Sequence, residues 1–521
     1  MNGHMRVSRR HFFGRVGLGL GGAALGAALL DRLGFAEALA AAAPRRFGER
    51  LRFGALDPLV DLMQEVPADE LLPQLVAKLR AGVTTSELIG AAALANARAL
   101  GGTNYNGYHA LMAMAPSAEM AAQFPAPLSA LPVLKVVHRN ARFLKEAGRQ
   151  HEDALEPLPP DAVAAADGAA LVDSIHALKI PAAEASLAAA FAQSRAAAIE
   201  RVQQVVREDA NVHRVVLSWR AVDLQRFTGE QHAITLLRQS VRFCIDEDGR
   251  RAGDGRAAPP IGGVVRELVE HHHLAERPAG TRPVDVETLS KLADTIFSGD
   301  GKAAAEAVAA ALADGLDPEA VGAALPLAAT RLLLHDPGLL KDAPGKPRGS
   351  VHGASVGVHA SDAANAWRHI ARAAGKDGDA ATRSASLLAG AYHTAGQSKS
   401  VGAQPFDHDA APCELKDPAE LLREIEGRAG ERDQAGAVRA ARRYGELGHP
   451  DADLFTLLLR IAVRQDGALH NEKYFRTAQE EHAAARPAHR ADLLAALTRV
   501  MASSCGFPAP GCEEAARLLQ S

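Results

Sequence analysis

Cysteine, aromatic residues and long apolar runs are all scarce in this 521-residue chain. Four cysteines are too few for a disulfide scaffold. No CxxC or CxxCH occurs, so neither a zinc ribbon nor covalently attached c-type haem has support. Cys505 and Cys512 flank Phe-Pro-Ala-Pro-Gly and are close enough in sequence to bridge in an oxidising compartment, while Cys244 and Cys413 are isolated. Beyond the N-terminal segment no run of about eighteen apolar residues occurs, so no other membrane span is expected. GxGxxG after a strand, the P-loop, the GxSxG elbow and HExxH are all missing. The Glu-x-x-His of di-iron bundles is limited to Glu270 with His273, inside the polar run His271-His272-His273, which reads as surface.

The N-terminus carries an address. Ser8-Arg9-Arg10-His11-Phe12-Phe13 precedes a glycine-diluted apolar run from Val16 to Leu30, followed by Ala-x-Ala options such as Ala36-Glu37-Ala38. The paired arginines closely resemble the twin-arginine (Tat) export motif. Residues 1–43 are therefore expected to be a Tat signal peptide, with the mature protein periplasmic or exported. The Tat machinery is the implied partner, and contact with the membrane is confined to this segment. Residues 1–43 hold five Arg and two acids, which leaves 53 basic and 60 acidic residues, a net charge of −7, on the remainder. A mildly acidic exported protein has no electrostatic reason to bind nucleic acid. Free nucleotide cofactors are scarce outside the cytoplasm.

What the chain has in excess is alanine, roughly a fifth of all residues. Alanine is the best helix former, and apolar residues recur at three-to-four spacing almost throughout. The expected fold is all-α, a large helical bundle built from duplicated helical hairpins. Proline and glycine clusters suggest a histidine-containing core domain over 44–400 and a C-terminal helical segment over 401–521 packing on it. The duplication is visible where Thr84-Thr85-Ser86-Glu87-Leu88-Ile89-Gly90-Ala91-Ala92 resembles Asp317-Pro318-Glu319-Ala320-Val321-Gly322-Ala323-Ala324 with one residue deleted. Thr84 with Glu87 has capping-box spacing, and Asp317-Pro318 pairs an N-cap with proline at the first helical position. Each unit leads to a histidine-led helix, at Tyr108-His109-Ala110-Leu111 and at Val351-His352-Gly353-Ala354. A looser third copy runs from Asp453 to Arg464 and on to Leu469-His470-Asn471.

The chain has 21 histidines. Imidazole is the commonest metal ligand and titrates near neutral pH. Histidines from several helices converging inside a bundle make a metal or haem site. His109, His213, His232 and His352 form the preferred group of ligands or catalytic residues, because each adjoins an apolar helical run; His359 and His470 follow. His213 and His232 bracket Trp219 and Asp223 in a block from Asn211 to Phe243, and His352 and His359 are seven apart on one helix face. Tyr108 is the candidate substrate or supporting contact, and Tyr105, Asn104, Asn106 and Gly107 form a loop suited to a pocket mouth. Asp223 and Glu230 are candidate carboxylates to orient a histidine.

The order His109-Ala110, His213 with Trp219 and His232, then His352 resembles a group of uncharacterised all-helical, Tat-exported bacterial proteins over roughly residues 70 to 400. More remotely, the His-led helices resemble those of questin oxidase-like proteins, which oxidise aromatic polyketides. That resemblance implies an oxidative role on a small-molecule substrate; the NADPH used by that family conflicts with export. Two readings stand: an exported oxidoreductase with a histidine-lined pocket holding a metal ion or haem, and a non-catalytic helical-repeat binding or scaffold protein of the cell envelope.

Overall fold

The computed structural model describes residues 50–353 and 355–521. The signal segment 1–43 lies outside the described residues. The described chain is all-α, and its only β pairing consists of isolated bridges. Among the described residues no helix is long and apolar enough to cross a membrane.

Twelve helices, in four consecutive triplets, organise the body. The first triplet is α1 (Thr85–Leu100), α2 (Tyr105–Gln123) and α3 (Leu131–Glu146). The second is α4 (Arg195–Val206), α5 (Val212–Asp223) and α6 (Ala233–Gly253). The third is α7 (Ala324–His335), α8 (Val356–Lys376) and α9 (Ala380–Ala395). The fourth is α10 (Asp451–Arg464), α11 (His470–Ala484) and α12 (Pro487–Ser504). In each triplet the middle helix packs against both companions. The expected duplication is thus fourfold in form, and its last unit falls within residues 401–521.

The four middle helices close a ring: α2 packs on α5, α5 on α8, α8 on α11, and α11 on α2. They run parallel, with their N-termini together. His109 meets His470, while Gln123 near the end of α2 bonds Gln479 of α11. His213 meets His359, and one to three turns further on Trp219 stacks on His369 at 4.7 Å. α2 is apolar nearly all round and almost wholly buried, as an inner helix must be. The outer helices supply its surroundings at close range. A Cβ at Gly357, in the first turn of α8, would lie 2.3 Å from the Leu333 Cα of α7, so only glycine allows this approach.

Local signals explain where the elements begin. Thr84 and Glu87 form the expected capping box at α1. Asp317 caps a short helix that ends at Gly322 and resumes as α7; Pro326, lacking an N–H, cannot bond the Gly322 carbonyl across the break. The block from Asn211 to Phe243 is not continuous. It stops at Asp223, and Gly229, with φ of 86°, turns the chain before α6 begins. Cys505 and Cys512 do not bridge: both thiols are free, and each donates to a backbone carbonyl, of Met501 and Val463 respectively.

Candidate metal centre

Each inner helix carries one histidine within its first five residues, and the imidazoles cluster: His109, His213 and His359 lie mutually close, and His470 joins them against His359. His109 Nε2 lies 3.2 Å from His213 Nε2, and His359 Nε2 lies 3.3 Å from His470 Nε2. The rings of His109 and His470, and of His213 and His359, are 5.2 and 5.4 Å apart at their centroids. The ligand atoms of His109, His213 and His359 all lie within 4.8 Å of one another.

Caps place three of these rings. Asn104 accepts from the Gly107 N–H and starts α2; Asn211 accepts from the His213 and Arg214 N–H groups and starts α5; Ser355 accepts from the Val358 N–H and starts α8. α11 begins differently. Ala468 and Leu469 are consecutive non-glycine residues in the left-handed region, with φ of 50° and 66°, directly before His470. Such backbone costs about 1–2 kcal/mol per residue and persists only where surrounding structure holds it. Here the Asp466 carboxylate accepts from the Ala468 N–H, and Asn471 donates to Ser504. The buried Lys135 pairs with Glu472 at 2.6 Å and donates to the carbonyls of Ala462 and Gln465.

The tautomers follow from the backbone. His109 Nδ1 donates to the Tyr105 carbonyl at 2.7 Å, His359 Nδ1 to the Ser355 carbonyl at 2.8 Å, and His470 Nδ1 to the Ala468 carbonyl at 3.0 Å. A carbonyl only accepts, so each neutral ring carries its proton on Nδ1 and turns a bare Nε2 lone pair inward. The 3.3 Å contact between His359 and His470 therefore joins two acceptors and has no proton to share. Protonating either ring is opposed by burial and by the nearby Lys473 ammonium. Burial holds all four imidazoles below the ordinary histidine range, His359 at about 4.

A cation would satisfy such lone pairs. Metal–imidazole bonds of about 2.0–2.1 Å in a tetrahedral array place neighbouring nitrogens about 3.3–3.4 Å apart, close to the two short separations here. A haem does not fit. Rings at centroid separations of 4.8–5.4 Å leave no slot for a porphyrin between them. No family model, curated protein or solved structure matches this chain. The arrangement has to be read from its own chemistry.

Of the residues expected from sequence, His109, His213 and Tyr108 are brought together, and His359 and His470 join them. His232 and His352 stand elsewhere. α5 rises about 18 Å along its twelve residues, and His232 lies beyond the end opposite His213, packed edge-on against Phe53 at 5.3 Å. His352 precedes α8 because Gly353, with φ of 85°, and the Ser355 cap delay the helix start. Its Nδ1 contacts Ser503 Oγ at 2.8 Å and its Nε2 the Gly345 carbonyl at 3.0 Å, so neither nitrogen is free for a metal. Asp223 and Glu230 orient no histidine. Asp223 is held by Arg220, Arg226 and Arg476, and Glu230 is exposed beside Arg195. Backbone carbonyls take the orienting role instead.

Two phenols flank the cluster. The Tyr108 ring stacks on His109 at 4.9 Å and lies 5.2 Å from His213, and burial raises its hydroxyl pKa. Tyr105 lies 4.6 Å from His109 and is 45% exposed, so it marks the side open to solvent. His213 and His359 are partly accessible, whereas His109 and His470 are buried. Beneath the histidines, one turn along, Lys473 lies 3.8 Å from Asp362, and Asp362 accepts from Thr477. Burial lowers the Lys473 ammonium to about 8 and raises the Asp362 carboxyl. Deeper still, Arg476 bridges Asp223, Glu119 and Glu480, and Glu480 meets His369 at 2.8 Å. These charges tie α2, α5, α8 and α11 in one register.

Proposed function

We propose that the protein is an exported, metal-dependent oxidoreductase whose centre is held by His109, His213, His359 and His470. The observation that carries the reading is the His359–His470 contact, a buried and a half-buried acceptor facing each other with both Nδ1 protons already committed. Leaving such a group unsatisfied costs about 1–3 kcal/mol, which a scaffold would have no reason to bear. An imidazole-only donor set, without thiolate or carboxylate, suits copper, iron, nickel or zinc. Its ligands are neutral, so the ion keeps its full charge, which favours the reduced member of a redox couple. The two tyrosine rings against His109 and His213 line the approach for a small substrate, and Lys473 with Asp362 holds a proton one turn below.

Elemental analysis during titration of the purified, tag-free protein with Cu(II), Fe(II) and Co(II) tests the proposal. One equivalent is expected to bind, and the copper form is expected to be reduced by ascorbate and reoxidised by air. Binding of no ion would remove the metal reading. An ion that cycles with neither reagent would remove the oxidoreductase reading and leave the site.

A further inference from the structure

The charges that act on the four imidazoles are positive. Lys473 lowers the basicity of all four rings, and Lys346 acts on His109, His359 and His470 in the same sense. No carboxylate acts on the rings comparably. The nearest acid along α11, Glu472, is taken by Lys135, and Asp362 is shared between Lys473 and Thr477.

Lys346 is placed in an unusual way. It sits in the loop between α7 and α8, with its Nζ so close over Gly353 that a Cβ there would lie 2.5 Å from it. Gly353 is two residues before the Ser355 cap, so the ammonium stands at the N-terminus of α8. Helix N-termini carry about half a positive charge, and a cation is unfavourable there. Among the described residues the Lys346 ammonium has no ion-pair or hydrogen-bond partner; Asp466, the acid that acts on it most, pairs with Arg139 at 3.3 Å. Three further N-termini, of α2, α5 and α11, converge on the same point. His470, more than nine-tenths buried, aims into it an Nε2 acceptor that faces only the Nε2 acceptor of His359.

Unpaired cation, converging N-termini and neutral ligands together describe a receptor for negative charge. We propose that the centre takes a small anion, of carboxylate or azide size, which adds to the metal as a fifth ligand and is held by Lys346. This rests on the metal reading above. The ligand is small because only part of His213 and His359 is accessible.

The test uses azide on the Co(II)- or Cu(II)-loaded protein, followed by its absorption bands, with metal content measured on the same samples. Acetate and the isosteric neutral acetamide serve as competitors. Wild type is expected to bind azide, with acetate displacing it and acetamide not. Lys346→Gln is expected to weaken azide about tenfold or more at unchanged metal content and melting temperature, with Lys346→Arg restoring binding. Equal azide affinity in Lys346→Gln, or equal competition by acetamide, overturns the inference and leaves the metal centre standing. Absence of bound metal in wild type overturns both.

Discussion

Acidified from pH 6.5 toward 4, the metal-free protein is expected to lose most of its stability and unfold cooperatively. The effect is carried by histidines buried in neutral form. His352, enclosed by Ser503 and Gly345, and His393, enclosed beside Trp367, are each held at about 4 by burial, against an ordinary 6.5. Because the folded values are depressed, the unfolded chain takes up protons first as pH falls. Stability is therefore complete above pH 6.5 and is lost progressively between 6.5 and 4. Each group costs about 1.4 kcal/mol per pH unit, or about 3 kcal/mol over the window. The inner rings are shifted the same way in the metal-free chain. Two such groups already rival a typical domain stability of about 5–15 kcal/mol. Urea denaturation at half-unit pH steps measures the slope. His393→Gln is expected to flatten it by about 1.4 kcal/mol per unit. A stability independent of pH across this window would contradict the burial argument.

The second large effect separates the histidines by position. His109→Ala, His359→Ala and His470→Ala are each expected to weaken metal binding by more than the roughly 10–100-fold that loss of an outer partner costs, with His359→Ala together with His470→Ala abolishing it. His232→Ala is expected to leave metal binding as in wild type, since it lies at the opposite end of α5 against Phe53. His352→Ala removes the contacts to Ser503 and Gly345, so it is expected to lower the melting temperature while metal stoichiometry holds. Isothermal titration of the six variants decides the pattern. Metal lost in His232→Ala but kept in His359→Ala would reverse the assignment.

These outcomes bear on how much the chain discloses before it is folded. Alanine content and three-to-four periodicity are local properties, and they specify an all-α body. The capping box at Thr84 and the Asn104 cap before His109 are local too. The geometry of the histidine cluster is not local. Whether His352 or His359 leads α8 turns on a single cap, Ser355, and on the left-handed Gly353, signals weaker than the apolar run around them. His470 depends on two left-handed residues, Ala468 and Leu469, whose side chains do not advertise that backbone. The choice of backbone carbonyls over Asp223 or Glu230 to orient the rings follows from where the first turn of each helix starts. Read afterwards, the common signal is a histidine one to five residues after a helix start, four times over, with Asn104, Asn211 and Ser355 as caps in three of them.

X-ray absorption on the metal-loaded protein reads the ligand shell itself. The expected spectrum has a shell of nitrogen scatterers at about 2.0–2.1 Å, with the outer-shell pattern of three to four imidazoles and no sulfur. A first shell containing sulfur, or one dominated by oxygen without imidazole scattering, would show that the four histidines do not hold the ion.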